Sequence, residues 1–126
     1  MRFQLNDIGW EIKEISEQEL LEKYKEINPK DDVFYVFGIC LKIKNVILLS
    51  NELEESQKKR TLIHELMHAW LWTNKIELEN FSEEEMCNFT AASYYFINNV
   101  VTKYFASKQR SGSNNAKGIR KGKRNK

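Results

Sequence analysis

Apolar and polar residues alternate at Ile8, Trp10 and Ile12, the period-two pattern of a strand with one buried face. The period changes directly afterwards. Ser16 and Glu19 have capping-box spacing, and Ile15 ahead of the cap can staple onto Leu20. Leu20, Leu21, Tyr24 and Ile27 then form a helical stripe that Asn28-Pro29 ends. Residues 33–49, VFYVFGICLKIKNVILL, are rich in β-branched and aromatic types. They predict two strands, around Ile39–Ile43 and Val46–Leu49, joined near Lys44-Asn45, with Gly38 a bulge or a break before them.

A second helix is predicted from about Glu54 to Trp72. Its stretch TLIHELMHAWLW is apolar on almost every face, which predicts a core helix buried on most sides. A third helix opens at Ser82, where Ser82 and Glu85 repeat the capping-box spacing, and continues through Met86, Phe89, Tyr94, Phe96, Ile97, Val100 and Val101 to about Ala106. The order β-α-β-β(-β)-α-α defines an α+β domain with helices packed on a short mixed or antiparallel sheet.

Charge divides the chain in two. Residues 1–106 hold 12 Lys+Arg against 18 Asp+Glu, a net of −6; residues 107–126 hold 8 Lys+Arg and no acid, a net of +8, giving the overall +2. The tail SKQRSGSNNAKGIRKGKRNK has one aliphatic residue larger than Ala, Ile119, so it is expected to be disordered beyond a folded domain of residues 1–106. Its cations could make weak, salt-sensitive contact with nucleic acid through phosphates, but it lacks interleaved aromatics for base stacking. No apolar run approaches the roughly 20 residues that cross a bilayer. The N-terminal stretch lacks the basic start and continuous apolar segment of a secretion signal. Two cysteines, Cys40 and Cys87, give no disulfide framework and fit a reducing interior, so the expected location is the cytoplasm.

The chemistry lies in the second helix. His64, Glu65 and His68 spell H-E-x-x-H, and residues four apart lie on one helical face. Two imidazoles so placed can share one zinc ion at about 2.0–2.1 Å. Glu65, 100° round the helix, stands beside the ion as a base for its bound water. In a buried helix, all three polar groups need partners, because an unsatisfied one costs several kcal/mol. The plain alternative is a pair of histidines without metal. A catalytic site needs a third ligand, and no histidine remains. Leu71 and Asn74 stand where the metzincin pattern requires Gly and His, which excludes that class.

The next helix offers Glu83, Glu84 and Glu85. Glu85 is best used in the cap. Glu84 begins a row through Cys87, Asn88, Ala91 and Tyr95 that is small enough for close approach to the histidine helix, so it ranks first, Glu83 second and Glu85 third. All three could instead simply favour the positive end of the helix dipole. Cys87 could replace Glu84 as ligand, although a buried core thiol is the simpler reading, and Cys40 reads as core.

H-E-L-M-H followed by Glu84, Cys87, Asn88, Ala91 and Ala92 resembles the gluzincin pattern, and more narrowly the ImmA/IrrE-type metallopeptidases of bacteria and their phages. The isoleucine-rich hairpin and KKRTLIHELMHA resemble the same group, which has Ala where this chain has Cys87. The resemblance covers about residues 33–97. It implies a small zincin-like, minimal gluzincin domain: a zinc-dependent endopeptidase with Zn2+ on His64, His68 and Glu84, and Glu65 as catalytic base. Its substrate would be a peptide or protein, often a regulator such as a repressor, paired in extended form with the strand before the helix. Tyr94, Tyr95 and Tyr104 are the candidates for steadying an oxyanion, against a plain core role for each. The rival readings are a non-catalytic, zinc-stabilised regulatory or binding protein, and a SprT-like nucleic-acid-associated protease, a group that has a third histidine.

Overall fold

The computed structural model describes residues 1–78 and 82–116, with side chains up to Lys108. The elements are β1 (Arg2–Leu5), β2 (Ile8–Ile15), α1 (Glu17–Ile27), β3 (Gly38–Leu41), β4 (Val46–Ser50), α2 (Glu55–Thr73) and α3 (Glu83–Ala116). The four strands form one mixed sheet in the order β1-β2-β4-β3. The central pair β2/β4 is parallel and both outer pairs are antiparallel. A parallel pair needs a long crossover, and α1 lies within it.

β4 shows why the layers stack as they do. Its VILLS sequence is apolar on both sides, and a strand apolar on both sides must be covered on both. Leu48 packs with Leu20 of α1 and Ile39 on one face. Ile47 and Leu49 join Trp10, Ile12, Leu62, Leu66 and Val100 on the other, beneath α2 and α3. The protein is thus an α+β sandwich of one helix, the sheet and two helices.

Several local expectations are met in detail. Ser16 caps α1 by accepting the Glu19 N–H at 3.1 Å. Asn45 takes a φ of 57° in the β3–β4 turn. Other features differ. β1 was not expected, because four residues are too few to display a period; it pairs with β2 through Asn6-Asp7, both at positive φ (50° and 66°), as a two-residue hairpin loop requires. β3 ends at Leu41, leaving Ile43 exposed in the turn. Nor is α2 buried on most sides. It buries Thr61, Leu62, Glu65, Leu66 and Ala69, while Ile63, His64 and Trp72 are exposed, because the sheet and α3 cover one side of it.

α3 continues past the expected Ala106 to Ala116, so residues 107–116 of the basic segment are helical; residues 117–126 lie outside the described part. Lys108 supplies an anchor for that continuation. Its ammonium lies 3.0 Å from Glu14 of β2 and over the Tyr104 ring. Glu14 also pairs with Lys58 of α2 at 3.0 Å and accepts a hydrogen bond from the Tyr104 hydroxyl. One carboxylate therefore ties the sheet to both helices. Among the described residues, no helix is long and apolar enough to cross a membrane.

Burial works to raise the Glu14 pKa, but the bonds from Tyr104, Lys58 and Lys108 outweigh it, and the net shift is downward from 4.5. A depressed carboxylate stabilises the fold above its unfolded pKa and loses that contribution as pH falls through the folded one. Glu14→Ala should cost about 2–4 kcal/mol in urea unfolding at pH 7, since it leaves two partly buried lysines without their partner. The gap between variant and wild type should close as the pH is lowered below about 4.5.

Candidate active site

α2 presents two working faces. Along one, His64 and His68 turn their Nε2 atoms toward each other at 3.2 Å, with ring centroids 4.8 Å apart and planes at 75°. Two nitrogens on one tetrahedral ion, each at about 2.0–2.1 Å, stand about 3.3 Å apart. The pair therefore has the separation that a shared ion requires, and in the ion's absence one ring can donate to the other. His68 is half-buried, and its pKa is lowered, first by burial and then by the charges of His64 and Lys42. A neutral imidazole with a free lone pair is the metal-binding form.

Glu65 lies on the side of α2 that meets β3. It is 6% exposed. Burial pushes its carboxyl pKa up to about 7, with Lys42 pulling the other way. Gly38 makes the contact possible: a Cβ there would lie 2.7 Å from Thr61 Cγ2 and 3.2 Å from both Cγ and Oε2 of Glu65. The glycine is neither a bulge nor a break but a point of close approach between strand and helix, at the first residue of β3. Two residues on, Cys40 packs against the same side. Burial and the Glu65 charge push its thiol up to about 12, so it stays protonated and is a poor ligand or nucleophile.

The candidates on α3 are placed differently. Glu83, Glu84 and Glu85 occupy its first turn, all exposed. Glu85 closes the expected capping box: its carboxylate accepts the Ser82 N–H at 3.1 Å, and Ser82 Oγ accepts the Glu85 N–H at 3.2 Å. The row Glu84, Cys87, Asn88, Ala91 and Tyr95, expected to approach the histidine helix, is exposed instead. α3 buries Ser93, Val100, Val101 and Tyr104, and the apolar members of that set, with Phe96 and Ile97 packed beside them, fill the space over the sheet. Cys87 is accordingly a surface thiol rather than a core one. Among the described residues, no group of three His, Cys, Asp or Glu side chains is placed to hold a metal ion. The structure thus brings together His64 and His68, with Glu65 beside them on the same helix, and leaves the α3 acids apart.

Tyr104 is occupied by Glu14, and Tyr94 and Tyr95 are exposed on α3. Trp10 is wholly buried in the core, whereas Trp72 is exposed with the Lys42 ammonium 5.8 Å over its ring. The sequence reading did not single out Lys42, because nothing local marks a lysine at the end of a strand.

A short mixed sheet whose edge strand closes against the glutamate of an H-E-x-x-H helix defines a small peptidase-like domain. The family profile of the IrrE N-terminal-like domain, a peptidase family, matches residues 20–110, and the chain belongs to that family. No curated protein and no solved structure matches the chain.

Two measurements test the Gly38 contact and the buried carboxyl. Gly38→Ala should destabilise the protein by about 1–3 kcal/mol through overpacking, and adding Thr61→Ser, which removes the nearest methyl, should restore part of the loss. In metal-free protein, the raised Glu65 pKa means that the folded state holds the proton more tightly than the unfolded one. Wild-type stability should therefore fall relative to Glu65→Gln as pH rises from about 4.5 to about 7, by up to about 3 kcal/mol, in unfolding curves taken at each pH.

Proposed function

We propose that this protein is a zinc-dependent peptidase in which His64 and His68 hold the ion, Glu84 completes the ligand set, and Glu65 moves the proton. The observation that carries this reading is the 3.2 Å convergence of the two Nε2 atoms, with a buried carboxyl on the adjoining face of the same helix. Membership of a peptidase family supports it. Glu85 is engaged in its cap, which leaves Glu84 and Glu83 of the same turn to reach the histidines. Zinc bound there would supply a Lewis acid that activates water and polarises a carbonyl. Glu65 would accept the proton of that water and return it to the departing amine. β3 is the last strand of the sheet, so its outer edge can pair with an extended segment of a protein substrate. A cytoplasmic regulatory protein is the substrate class we favour.

The α3 acids stand apart from the histidines, and a catalytic zinc needs a third protein ligand, so that observation favours one rival, a regulatory protein of the same fold without catalysis. Zinc content and peptide hydrolysis separate the two. The wild type should carry about one zinc per chain; His64→Ala and His68→Ala should lose it, and Glu84→Ala should bind it more weakly. Glu65→Gln should keep its zinc while hydrolysis of a peptide library falls by about 100-fold or more. Zinc-saturated wild type that cleaves nothing, or a Glu65→Gln variant that still cleaves, would overturn the enzymatic reading.

A further inference from the structure

The chemistry proposed above leaves Lys42 unused. It follows β3 directly, in step with Gly38 and Cys40, and its ammonium stands 5.8 Å over the ring of Trp72. Trp72 is four residues beyond His68 and lies on the same helical row as His64 and His68. Each step along that row rises about 6 Å, so the ammonium is held about one turn beyond the second histidine. Its charge reaches Glu65, Cys40 and His68 alike. Among the described residues it makes no ion pair.

The ground beneath the cation is apolar. Trp72, itself 46% exposed, also lines a cavity of about 410 Å³ with Leu71, Ile76 and Ile8. The remaining rim carries Asn45, Thr73, Lys75 and Glu77, whose two charges are of opposite sign, so that cavity has no net charge of its own. The residues up to Ala106 are acidic as a whole, with 12 Lys+Arg against 18 Asp+Glu. Lys42, the cation preorganised on an indole at the end of the histidine row, makes one position there favour a carboxylate while the acidic surface at large repels it.

We infer that Lys42, held over Trp72, is a specificity-determining residue that pairs with an acidic side chain of the peptide being cleaved. The inference rests on the peptidase reading. From Gly38, beside Glu65, to Lys42, the first residue past the end of β3, the chain spans at most about 13 Å, so the acid lies within about four residues of the cleaved bond.

The test scans Asp, Asn and Lys through four positions on either side of the bond in a cleavable peptide, using zinc-loaded wild type, Lys42→Arg, Lys42→Ala and Lys42→Glu. At one position Asp should exceed Lys by about fivefold in kcat/KM, carried by KM, a factor typical of one solvent-accessible ion pair. Lys42→Arg should keep the preference, Lys42→Ala should lose it, and Lys42→Glu should invert it. A preference unchanged in Lys42→Glu overturns the inference, as does a fall in kcat that is equal for all peptides, which would assign Lys42 to Glu65 or to the fold. Binding of the same labelled peptides to Glu65→Gln, with and without Lys42→Glu, gives a readout without hydrolysis. A charge preference that inverts in binding while the wild type cleaves nothing sustains the subsite and sinks the peptidase reading; binding indifferent to charge overturns the subsite.

Discussion

The arrangement depends on one contact, the approach of β3 to α2 at a residue with no side chain. Gly38 lets the strand backbone come so close that any Cβ would press on Thr61 and Glu65. That approach buries the Glu65 carboxyl, and burial raises its affinity for a proton. It also fixes the rotation of α2 about its own axis. With Glu65 turned to the strand, His64 and His68 project from the adjoining face, where neither sheet nor α3 covers them fully. A larger residue at position 38 would disturb burial, proton affinity and helix orientation together.

The rest of the fold holds α2 against that contact. Leu62, Leu66 and Ala69 sit wholly buried over the sheet, and by the usual scale each large apolar side chain buried contributes about 1.5–3 kcal/mol. Glu14 reinforces this from beneath, drawing Lys58 of α2 and Tyr104 and Lys108 of α3 to one point. An ion cluster of this kind stabilises less by its charges than by the penalty for breaking it, because each lone charge would then stand partly buried. It registers the two helices on the sheet, and so sets where the first turn of α3 can reach.

Much of this was legible in the residues and some of it was not. The cap at Ser16, the capping box at Ser82 and the H-E-x-x-H spacing are local patterns; Ser82 and Glu85 close both bonds of the box, while at Ser16 the hydroxyl alone caps the helix. The hairpin of β3 and β4 was legible too, while the central place of β4, paired in parallel with β2, was not. β1 is too short for a period, although the Asn6-Asp7 pair was a turn signal that could have revealed it. The exposed half of α2 was hidden by composition: Ile63 and Trp72 look like core until the neighbours of the helix are known. The exposed row below Glu84 failed for a related reason. Small residues permit close packing but do not drive it, and the bulkier row of α3 took the interior. The role of Gly38 and the position of Lys42 are tertiary facts with no local trace.

The half-burial of α2 therefore carries a physical meaning. A metal-binding histidine needs a neutral ring and an open lone pair, which favours a margin between interior and solvent, whereas a proton-shuttling carboxyl near neutrality needs the interior. On the peptidase reading proposed above, one helix would meet both needs because adjacent residues are 100° apart. The step from His64 to Glu65 crosses from the open side of α2 to its packed side, and the step of four to His68 returns to the open one. The fold has only to present that helix at a sheet edge, covered on one flank and open on the other. A single short edge strand beginning in glycine is enough to do so.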